Sequence, residues 1–344
     1  MSLISDGSRR PTMKDVALAA GVSLKTVSRV VNNAPNVQQD LVDRVLHAVH
    51  ELGYRRNDIA RTLRAGRTTR TIGLVIEDLA NPFYSALASA VSRVARVHDS
   101  LLIVSSLEEG REREREFVLE LCQRRVDGLL IVPAGSDHAF LRQEIEMGLP
   151  VVFLDRPPMG VLADVVLLDN AGGARAGIEL LLANGHTRIA ILLDSLAIYT
   201  MRERLAGAQA AFVQSATTYD ESLLRVDIHD PDAAMETAKD LSLMPSPPTA
   251  FFCGNNRITV GVVRALIENG LDAEVVGFDD FEASSLLPRP VTVIAYDNQG
   301  LGRTGAELLY SRIAGDTSWP RTVVLPTKLV SRGVGPPREL AGRE

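Results

Sequence analysis

The sequence of 344 residues predicts a small all-α domain followed by a larger α/β domain with two parallel sheets. In the first 70 residues, apolar side chains recur at helical spacing. From residue 71 onward, short apolar runs rich in β-branched residues alternate with helical segments. The length also exceeds one ordinary domain of about 150 residues, so we expect two or three folding units.

The net charge of −6 is divided unevenly along the chain. Residues 1–70 contain twelve Lys or Arg and six Asp or Glu, whereas residues 71–344 contain 25 and 37. A basic head on an acidic body is typical of a nucleic-acid-binding module, although a basic tail without function would give the same totals. Residues 108–117 alternate in charge, as expected of one solvated helix.

Three short helices are predicted in the head. Thr12 can cap the first and Ser23 the second, because a side-chain oxygen there accepts hydrogen bonds from the N–H groups of the first turn. Gly21 permits a tight turn between these two helices. In the third helix, apolar residues recur at helical spacing as far as Gly53: Leu41, Val45, Ala48 and Leu52.

The second helix has two different faces. Its apolar face carries Val27, Val30 and Val31, and its opposite face carries Leu24, Lys25, Ser28 and Arg29. Three short helices with a polar, cationic second helix are typical of the helix-turn-helix arrangement. Such side chains reach phosphates and base edges, so we predict DNA binding rather than a small helical bundle without special function.

The body is predicted to form two α/β subdomains. Seven short apolar runs have the character of strands: 71–76, 101–106, 128–133, 151–155, 188–194, 249–254 and 274–279. Helical segments lie between them. Near-continuous apolar strands separated by helices imply parallel sheets that are covered on both faces.

Polar side chains follow five of these strands: Glu77 and Asp78, Asp155 and Arg156, Asp194, Asn255 and Asn256, and Asp279 and Asp280. A single carboxylate at a strand end is more often a turn former or helix cap than a ligand group. Five such ends favour a polar cleft, since ligands bind at the carboxyl ends of parallel strands. The cleft suits a small hydroxylated ligand such as a sugar or nucleoside, and Phe83 or Tyr84 can stack on its ring.

Three segments resemble the LacI/GalR family of bacterial transcription regulators: "KDVALAAGVSLKTVSRVVN", "VLHAVHELGY" and "IARTLRAGRTTRTIGLV". The resemblance covers essentially the whole chain. It implies that three residues read bases in the major groove: Leu24, Lys25 and Arg29. It also implies that five residues mainly contact the DNA backbone: Ser23, Thr26, Ser28, Asn32 and Tyr54.

Residues 57–70 contain four arginines and, considered alone, form a linker that is too polar to fold unaided. In the family, the corresponding segment folds into a hinge helix on the operator. The resemblance places Leu63, with Ala60 one turn before it, in the minor groove, where apolar side chains can kink DNA. The family often has proline at the position of Arg56, so this chain lacks a rigid turn before its hinge.

The body resembles the effector domain of the same family, whose ligand lies between two lobes like those of periplasmic sugar-binding proteins. Its motifs are "NPFY", "DR" at 155–156, "RERLAG" at 202–207, "GNN" at 254–256 and "VGFDD" at 276–280. They imply six effector contacts: Phe83, Tyr84, Asp155, Arg204, Asn255 and Asp279. Arg202 is a weaker candidate, because its side chain can point out of the pocket.

Asn256 stands where the family usually has aspartate. The amide can donate as well as accept hydrogen bonds, so the change alters either the choice of effector or the cap of the following helix. Of these two interpretations we favour the cap.

Together these features predict an effector-responsive transcription regulator, a repressor by its resemblance, that binds a pseudo-palindromic operator as a homodimer. We predict a helix-turn-helix domain at 12–56, a hinge or linker at 57–70, and an effector-binding and dimerisation domain of two interleaved lobes at 71–335. Residues 1–11 and 336–344 are predicted to be tails.

A cytoplasmic location is expected, because the first residues lack the apolar core of a signal peptide and no apolar run is long enough to span a membrane. No cofactor is expected, since the nucleotide, metalloprotease and hydrolase fingerprints are missing from the sequence. The spacing of Cys122 and Cys253 supports neither a disulfide framework nor a metal site. Two alternatives stay open: a solute-binding protein for a sugar, and an enzyme with a sugar substrate.

Overall fold

The computed structural model of the chain describes residues 11–32, 34–54, 68–107 and 113–334. They belong to two compact units, one ending at Thr69 and the other beginning at Arg70. Arg56 and the predicted hinge residues Ala60 and Leu63 lie outside the described residues. Among the residues that the structure does describe, no helix is long and apolar enough to cross a membrane.

The first unit contains three helices, α1 (Met13–Ala20), α2 (Leu24–Val31) and α3 (Gln39–Glu51). Gly21 has the left-handed conformation, with φ 61°, in which α1 turns towards α2. Ser23 caps α2, because its hydroxyl accepts a hydrogen bond from the Thr26 N–H at 3.1 Å. The small core consists of Val16, Ala20, Val27, Val30, Val45 and Ala48.

The inner face of α3 differs from the predicted one. Leu52 is 36% exposed, and Val42 and Val49 pack against the core instead. The prediction extended the helix too far, because α3 ends at Glu51 and Gly53, with φ 60°, then turns the chain.

The second unit contains two six-stranded sheets. The first sheet consists of β1 (Thr71–Ile76), β2 (Leu101–Ser106), β3 (Gly128–Ile131), β4 (Val151–Leu154), β5 (Asp164–Leu168) and β11 (Thr322–Leu325). Its order is β11-β5-β4-β3-β1-β2, and all neighbouring strands are parallel.

The second sheet consists of β6 (Ile189–Leu192), β7 (Leu224–Arg225), β8 (Ala250–Cys253), β9 (Glu274–Phe278), β10 (Val291–Tyr296) and β12 (Thr327–Arg332). Its order, β12-β10-β9-β8-β6-β7, matches that of the first sheet strand for strand. The predicted parallel sheets are confirmed, except that β12 runs antiparallel to β10.

Eight helices connect the described strands: α4 (Pro82–Val97), α5 (Glu114–Gln123), α6 (Arg142–Glu146), α7 (Asn170–Ala183), α8 (Tyr199–Gln214), α9 (Pro231–Ser242), α10 (Asn256–Glu268) and α11 (Asn298–Ile313). Each sheet separates two apolar clusters. Consecutive residues of β1, Leu74 and Val75, belong to different clusters, as expected of a strand that is covered on both faces. The first sheet with its helices forms the first lobe, and the second sheet with its helices forms the second lobe.

The chain passes between the lobes three times. It leaves the first sheet after β5 and enters α7, which packs on the second sheet. It returns after β10 through α11, which packs on the first sheet. Pro326 alone separates β11 in the first sheet from β12 in the second. The two lobes are therefore interleaved in sequence.

The first two passages share one sequence pattern, "DNAGGARAGIEL" at 169–180 and "DNQGLGRTGAEL" at 297–308. Asp169 caps α7 by accepting from the Gly172 N–H at 2.8 Å, and Asp297 caps α11 by accepting from the Gly300 N–H at 2.7 Å. A side chain at either glycine would clash with the capping carboxylate. The repeated pattern thus begins a helix at the same place in each passage.

The close approach of α7 and α8 generates a stability prediction. A Cβ atom at Gly207 would overlap the backbone carbonyl of Ala171, so Gly207→Ala must push two helices apart. We expect the free energy of unfolding to fall by about 1–3 kcal/mol, although alanine is favoured over glycine in helices by about 1 kcal/mol. Urea denaturation measures the change. The exposed substitution Ala210→Ser on the same helix serves as the control, and a Gly207→Ala protein as stable as wild type would contradict the predicted overlap.

Candidate functional site

A cleft of about 830 Å³ lies between the two lobes at the carboxyl ends of their strands. All six predicted effector residues line it: Phe83, Tyr84, Asp155, Arg204, Asn255 and Asp279. They come from both lobes and from five separate segments of the chain. Arg202 does not line this cleft, and its guanidinium instead donates to the carbonyls of Leu196 and Ala197.

Arg204 of α8 is a buried cation, only 3% exposed. Its Nε donates to Asn170 Oδ1 at 2.9 Å, its Nη1 donates to the Gly254 carbonyl, and its Nη2 lies 3.3 Å from Asp279 Oδ1. The guanidinium carbon also sits 3.6 Å from the centroid of the Phe278 ring. These contacts fix the guanidinium at the wall of the cleft.

Asp279 follows β9 in a left-handed conformation, with φ 71°. Its Oδ1 accepts a hydrogen bond from the Tyr296 hydroxyl at 2.9 Å. Burial, together with the nearby carboxylate of Asp279, raises the pKa of Tyr296 well above its ordinary value. Tyr296 therefore stays protonated and donates to Asp279.

A second network occupies the first lobe. The Tyr84 hydroxyl donates to Glu77 Oε2 at 3.0 Å, and Arg156 Nη2 donates to the same oxygen at 2.9 Å. Arg156 Nη1 also donates to the Pro133 carbonyl at 2.9 Å. Burial raises the pKa of Tyr84 well above its ordinary value, although the charge of Arg156 acts against that rise.

Asp155 lies beside that network and has few partners. It follows β4 with φ 66°, and it is 4% exposed. Its Oδ2 lies 3.3 Å from Arg156 Nε, but among the described residues it accepts no hydrogen bond. Burial raises the pKa of Asp155, and the charges of Arg156 and Arg204 only partly oppose the rise.

Three further contacts lie at or beside the cleft. Arg257 of the second lobe forms an ion pair with Asp78 of the first, which links the lobes directly. His229 Nδ1 lies 2.7 Å from Asp194 Oδ1 within the second lobe. The Asn298 side chain, at the second passage, donates to the Phe83 carbonyl at 3.0 Å.

Asn255, rather than Asn256, caps α10. The Asn255 Oδ1 accepts from the Ile258 N–H at 2.9 Å, whereas Asn256 is the first helical residue. The interpretation of Asn256 as a changed cap is therefore wrong. Asn256 is 8% exposed and lines the cleft.

The exposed face of α2 contains the residues predicted to contact DNA. Leu24 and Lys25 are exposed, and the Lys25 side chain forms no hydrogen bond among the described residues. The Arg29 guanidinium donates to the carbonyls of Pro35 and Asn36, at 2.8 and 3.2 Å, and so holds the loop before α3. The predicted backbone contacts lie nearby: Ser23 bonds to Thr26, Asn32 bonds to Ser28, and Tyr54 packs against the core.

Two family models match almost the whole chain. The model described as "Bacterial regulatory proteins, lacI family" matches residues 12–57, and "Periplasmic binding proteins and sugar binding domain of LacI family" matches residues 69–333. The chain belongs to the LacI family. The resemblance to LacI/GalR regulators and the predicted fold class are thereby confirmed.

Individual members of the LacI family agree with this result. The HTH-type transcriptional repressor PurR of Aliivibrio fischeri is 30% identical over 328 residues, covering 93% of this chain and 97% of the relative. A structure of the Lac repressor dimer bound to operator and the anti-inducer ONPF is 30% identical, with a TM-score of 0.81. The match covers 94% of this chain and 98% of that chain. A structure of the transcriptional regulator CelR with cellobiose is 30% identical, with a TM-score of 0.69. The match covers 95% of this chain and 100% of that chain.

This LacI-family protein is a DNA-binding transcription regulator with a ligand-binding domain, and it is not an enzyme. The two alternatives, a solute-binding protein and a sugar-converting enzyme, are therefore excluded. The strand-end carboxylates, which alone suggested an enzyme, belong instead to the cleft of a regulator.

Several cleft residues were not selected from the sequence. Glu77, Arg156 and Asn256 were noted at strand ends but not chosen as effector contacts. Tyr296 was missed because β10 was not recognised as a strand, and His229 and Arg257 stand in segments without a distinctive pattern. The "DR" motif at 155–156 contains Arg156, so this motif could have identified Arg156 as a cleft residue.

The charged stretch at 108–117 overlaps the start of α5, and Glu114 within it is buried. Residues 108–112 lie outside the described residues, but Glu114 is 2% exposed. It accepts hydrogen bonds from the Ala134 and Gly135 N–H groups and lies 2.8 Å from His138 Nε2. These contacts hold the pKa of Glu114 below its ordinary value despite burial, so the expectation of one solvated helix is wrong at Glu114.

Asp155→Asn is expected to raise the Tm of the unliganded protein at pH 7, because the amide removes a buried charge. A folded-state pKa above the unfolded value means that the Asp155 carboxyl contributes stability at low pH, which is lost as the pH rises through the folded value. The Tm difference between variant and wild type should therefore shrink as the pH falls towards about 4, near the ordinary pKa of aspartate.

Differential scanning calorimetry across this pH range measures the effect. Asp232→Asn, at a carboxylate 80% exposed on α9, is the matched control and should change the Tm little at any pH. An Asp155→Asn protein with a lower Tm than wild type at pH 7 would show that the charge of Asp155 stabilises the fold.

Proposed function

We propose that this regulator binds a pseudo-palindromic operator as a homodimer, and that a sugar or nucleoside in the cleft changes its affinity for DNA. The cleft carries the proposal, because it brings buried hydrogen-bonding groups and aromatic rings from both lobes around one space. The cellobiose in the CelR complex and the operator in the Lac repressor complex are in keeping with both parts of the proposal.

We assign DNA binding to residues 12–56, the hinge to residues 57–70 and effector binding to residues 71–335. Leu24, Lys25 and Arg29 would read bases, and Ala60 and Leu63 would enter the minor groove. Ser23, Thr26, Ser28, Asn32 and Tyr54 would grip the backbone. To reach a base, Arg29 would have to give up its hydrogen bonds to the carbonyls of Pro35 and Asn36. Lys25 and Leu24 are therefore more accessible for base contacts.

Exposed apolar side chains at one edge of the first lobe support the homodimer. β2 is the last strand of its sheet, and Leu101 at its start is 65% exposed. Val97, at the end of the preceding helix α4, is 83% exposed. A second copy would cover these side chains, and two heads could then engage two half-sites together.

Effector binding would act through the angle between the lobes. A ligand that contacts Phe83 and Asp155 in the first lobe and Arg204 and Asp279 in the second favours the closed arrangement. Closure would bias the hinge between folded and disordered states and so change DNA affinity. Whether the effector releases or recruits DNA depends on which state the closed lobes favour.

A gel-shift titration against DNA upstream of the protein's own gene tests operator binding. We expect a specific shift whose affinity falls steeply with salt, as phosphate contacts require. Lys25→Ala should cost about 1–3 kcal/mol of discrimination between operator and unrelated DNA, because the side chain is a proposed base contact. The Lys14→Ala protein, altered on α1, is the control, and equal losses on both DNAs would make Lys25 a phosphate contact.

Arg204→Lys tests the cleft. The lysine keeps a positive charge beside Asp279 but cannot make the same set of directed hydrogen bonds, so we expect affinity for the effector to fall roughly 10-fold or more. The effector is the compound that gives the largest thermal shift in a screen of sugars and nucleosides. Arg202→Lys, two residues away but outside the cleft, is the matched control, and calorimetry with equal affinities for both variants would refute the assignment of Arg204.

A further inference from the structure

A second space adjoins the cleft. This space, here called the side chamber, has a volume of about 910 Å³ and lies between residues 133–137, after β3, and residues 197–199, at the start of α8. Arg156 and Ile198 line both the cleft and the side chamber, so the two spaces meet at these side chains. Each space alone has the size of a whole ligand pocket, which is about 300–1,000 Å³. Together they offer more room than a ligand with a single ring needs.

Buried contacts hold the first-lobe wall of the side chamber in place. Glu114 accepts hydrogen bonds from the N–H groups of Ala134 and Gly135. Its Oε1 lies 2.8 Å from Nε2 of His138, whose side chain is fully buried. The Met159 N–H donates to His138 Nδ1 at 3.1 Å, so a neutral imidazole carries its hydrogen on Nε2, next to the Glu114 carboxylate. This pair joins the loop after β3 to the loop after β4, and the wall is preorganised for a ligand.

Three hydrogen-bonding side chains line the side chamber without a hydrogen bond to any described residue. Arg115 and Ser136 belong to the first lobe, and both are exposed. Tyr199 belongs to the second lobe and is half-buried. Arg202 also lines this space, but its guanidinium is held by two backbone carbonyls of the preceding turn, and it is not one of the contacts that we propose. The three available groups therefore come from separate segments and from both lobes.

Two aromatic rings line the same space. Phe140 and Tyr199 both pack against an apolar cluster of the first lobe, although Tyr199 belongs to the second. The Arg115 guanidinium lies 5.7 Å from the centroid of the Phe140 ring. In the part of the chain that the structure describes, no ring or guanidinium is stacked on Tyr199. An aromatic ring binds the apolar face of a flat ligand, so Tyr199 offers a surface for a ring in the side chamber.

Arg156 has an unused donor where the two spaces meet. Its Nη1 and Nη2 donate to protein oxygens, but its Nε is buried and makes no hydrogen bond with the described residues. Asp155 Oδ2 lies 3.3 Å from this Nε without forming a hydrogen bond to it. A buried donor without an acceptor costs free energy. A ligand that passes from the cleft into the side chamber can supply that acceptor.

We propose that the effector is a sugar of at least two linked rings, with one ring in the cleft and the next stacked on Tyr199 in the side chamber. The oxygen that joins the rings accepts from Arg156 Nε. Hydroxyls stand around most of the rim of a sugar ring, so those of the outer ring meet Arg115 and Ser136 on the opposite wall. This inference rests on the proposed function, because it selects disaccharides and longer sugars from the effectors of that proposal.

Thermal-shift measurements on the full-length protein test the inference with matched sugars. The sets are glucose with maltose and cellobiose, and xylose with xylobiose, and ribose and adenosine complete the panel. We expect the largest rise in Tm from a disaccharide, and a smaller one from its component monosaccharide at the same concentration. A monosaccharide or adenosine that gives the largest shift would overturn the inference and leave the proposed regulator with a ligand. If no compound raises the Tm, the proposed sugar or nucleoside effector fails, and the inference fails with it.

Calorimetry with the disaccharide that binds tests the first-lobe wall of the side chamber. Arg115→Gln should weaken affinity roughly 10-fold, as expected for the loss of a charged hydrogen-bond donor. Arg113→Gln is the matched control, because Arg113 is also an exposed cation over an aromatic ring, that of Phe117, but does not line the side chamber. Equal affinities for these two variants would remove the outer ring from the side chamber.

Variants of Tyr199 test the stacked ring. Tyr199→Ala should weaken affinity for the disaccharide roughly 10-fold or more, whereas Tyr199→Phe keeps the ring and most of the affinity. The affinity of Tyr199→Ala for the component monosaccharide should stay close to that of wild type, since a single ring occupies only the cleft. Equal losses for both sugars would show that Tyr199 acts on the approach of the lobes and not on the outer ring, which would overturn the inference.

Discussion

The buried guanidinium of Arg204 is the constraint around which the second lobe is built. A cation removed from water must be surrounded by acceptors, or its burial costs several kcal/mol. The acceptors come from the start of α7, the end of β8 and the end of β9. The Arg204 side chain therefore requires three elements to meet at the cleft. The Phe278 ring packs against the guanidinium as well.

The first lobe also places a carboxylate at the cleft, after the strand that corresponds to β9. The strand orders of the two sheets correspond strand for strand, and Asp155 after β4 occupies the same place in the first sheet as Asp279 after β9 in the second. Both aspartates have a left-handed backbone, which costs roughly 1–3 kcal/mol for residues other than glycine. The strain recurs at the two positions where a carboxylate turns into the cleft, which indicates that it serves the placement of that group.

Much of this arrangement follows from local sequence. The seven predicted strands are all present, because apolar β-branched runs buried on both faces have few other solutions. Five strands were not predicted: β5, β7, β10, β11 and β12. In β10 and β12, the residues Thr292, Tyr296 and Lys328 interrupt the apolar character. The six predicted effector residues line one cleft, because the strands of a parallel sheet end at the same edge.

What the sequence did not reveal depends on contacts between distant segments. The ion pair of Asp78 with Arg257 joins residues 179 positions apart, and nothing local to either one signals its partner. The engagement of Arg29 with the Pro35 and Asn36 carbonyls depends on the path of a loop rather than on helical periodicity. Likewise, the choice of Asn255 over Asn256 as the cap depends on backbone geometry, since either residue has the right chemistry.

The three passages of the chain between the lobes also limit how the protein can move. One connecting segment would let two rigid bodies swivel and twist about it in any direction. Three connecting segments permit the lobes to bend about one axis but oppose twisting of one lobe against the other. Motion of one lobe against the other is thereby limited to a single angle.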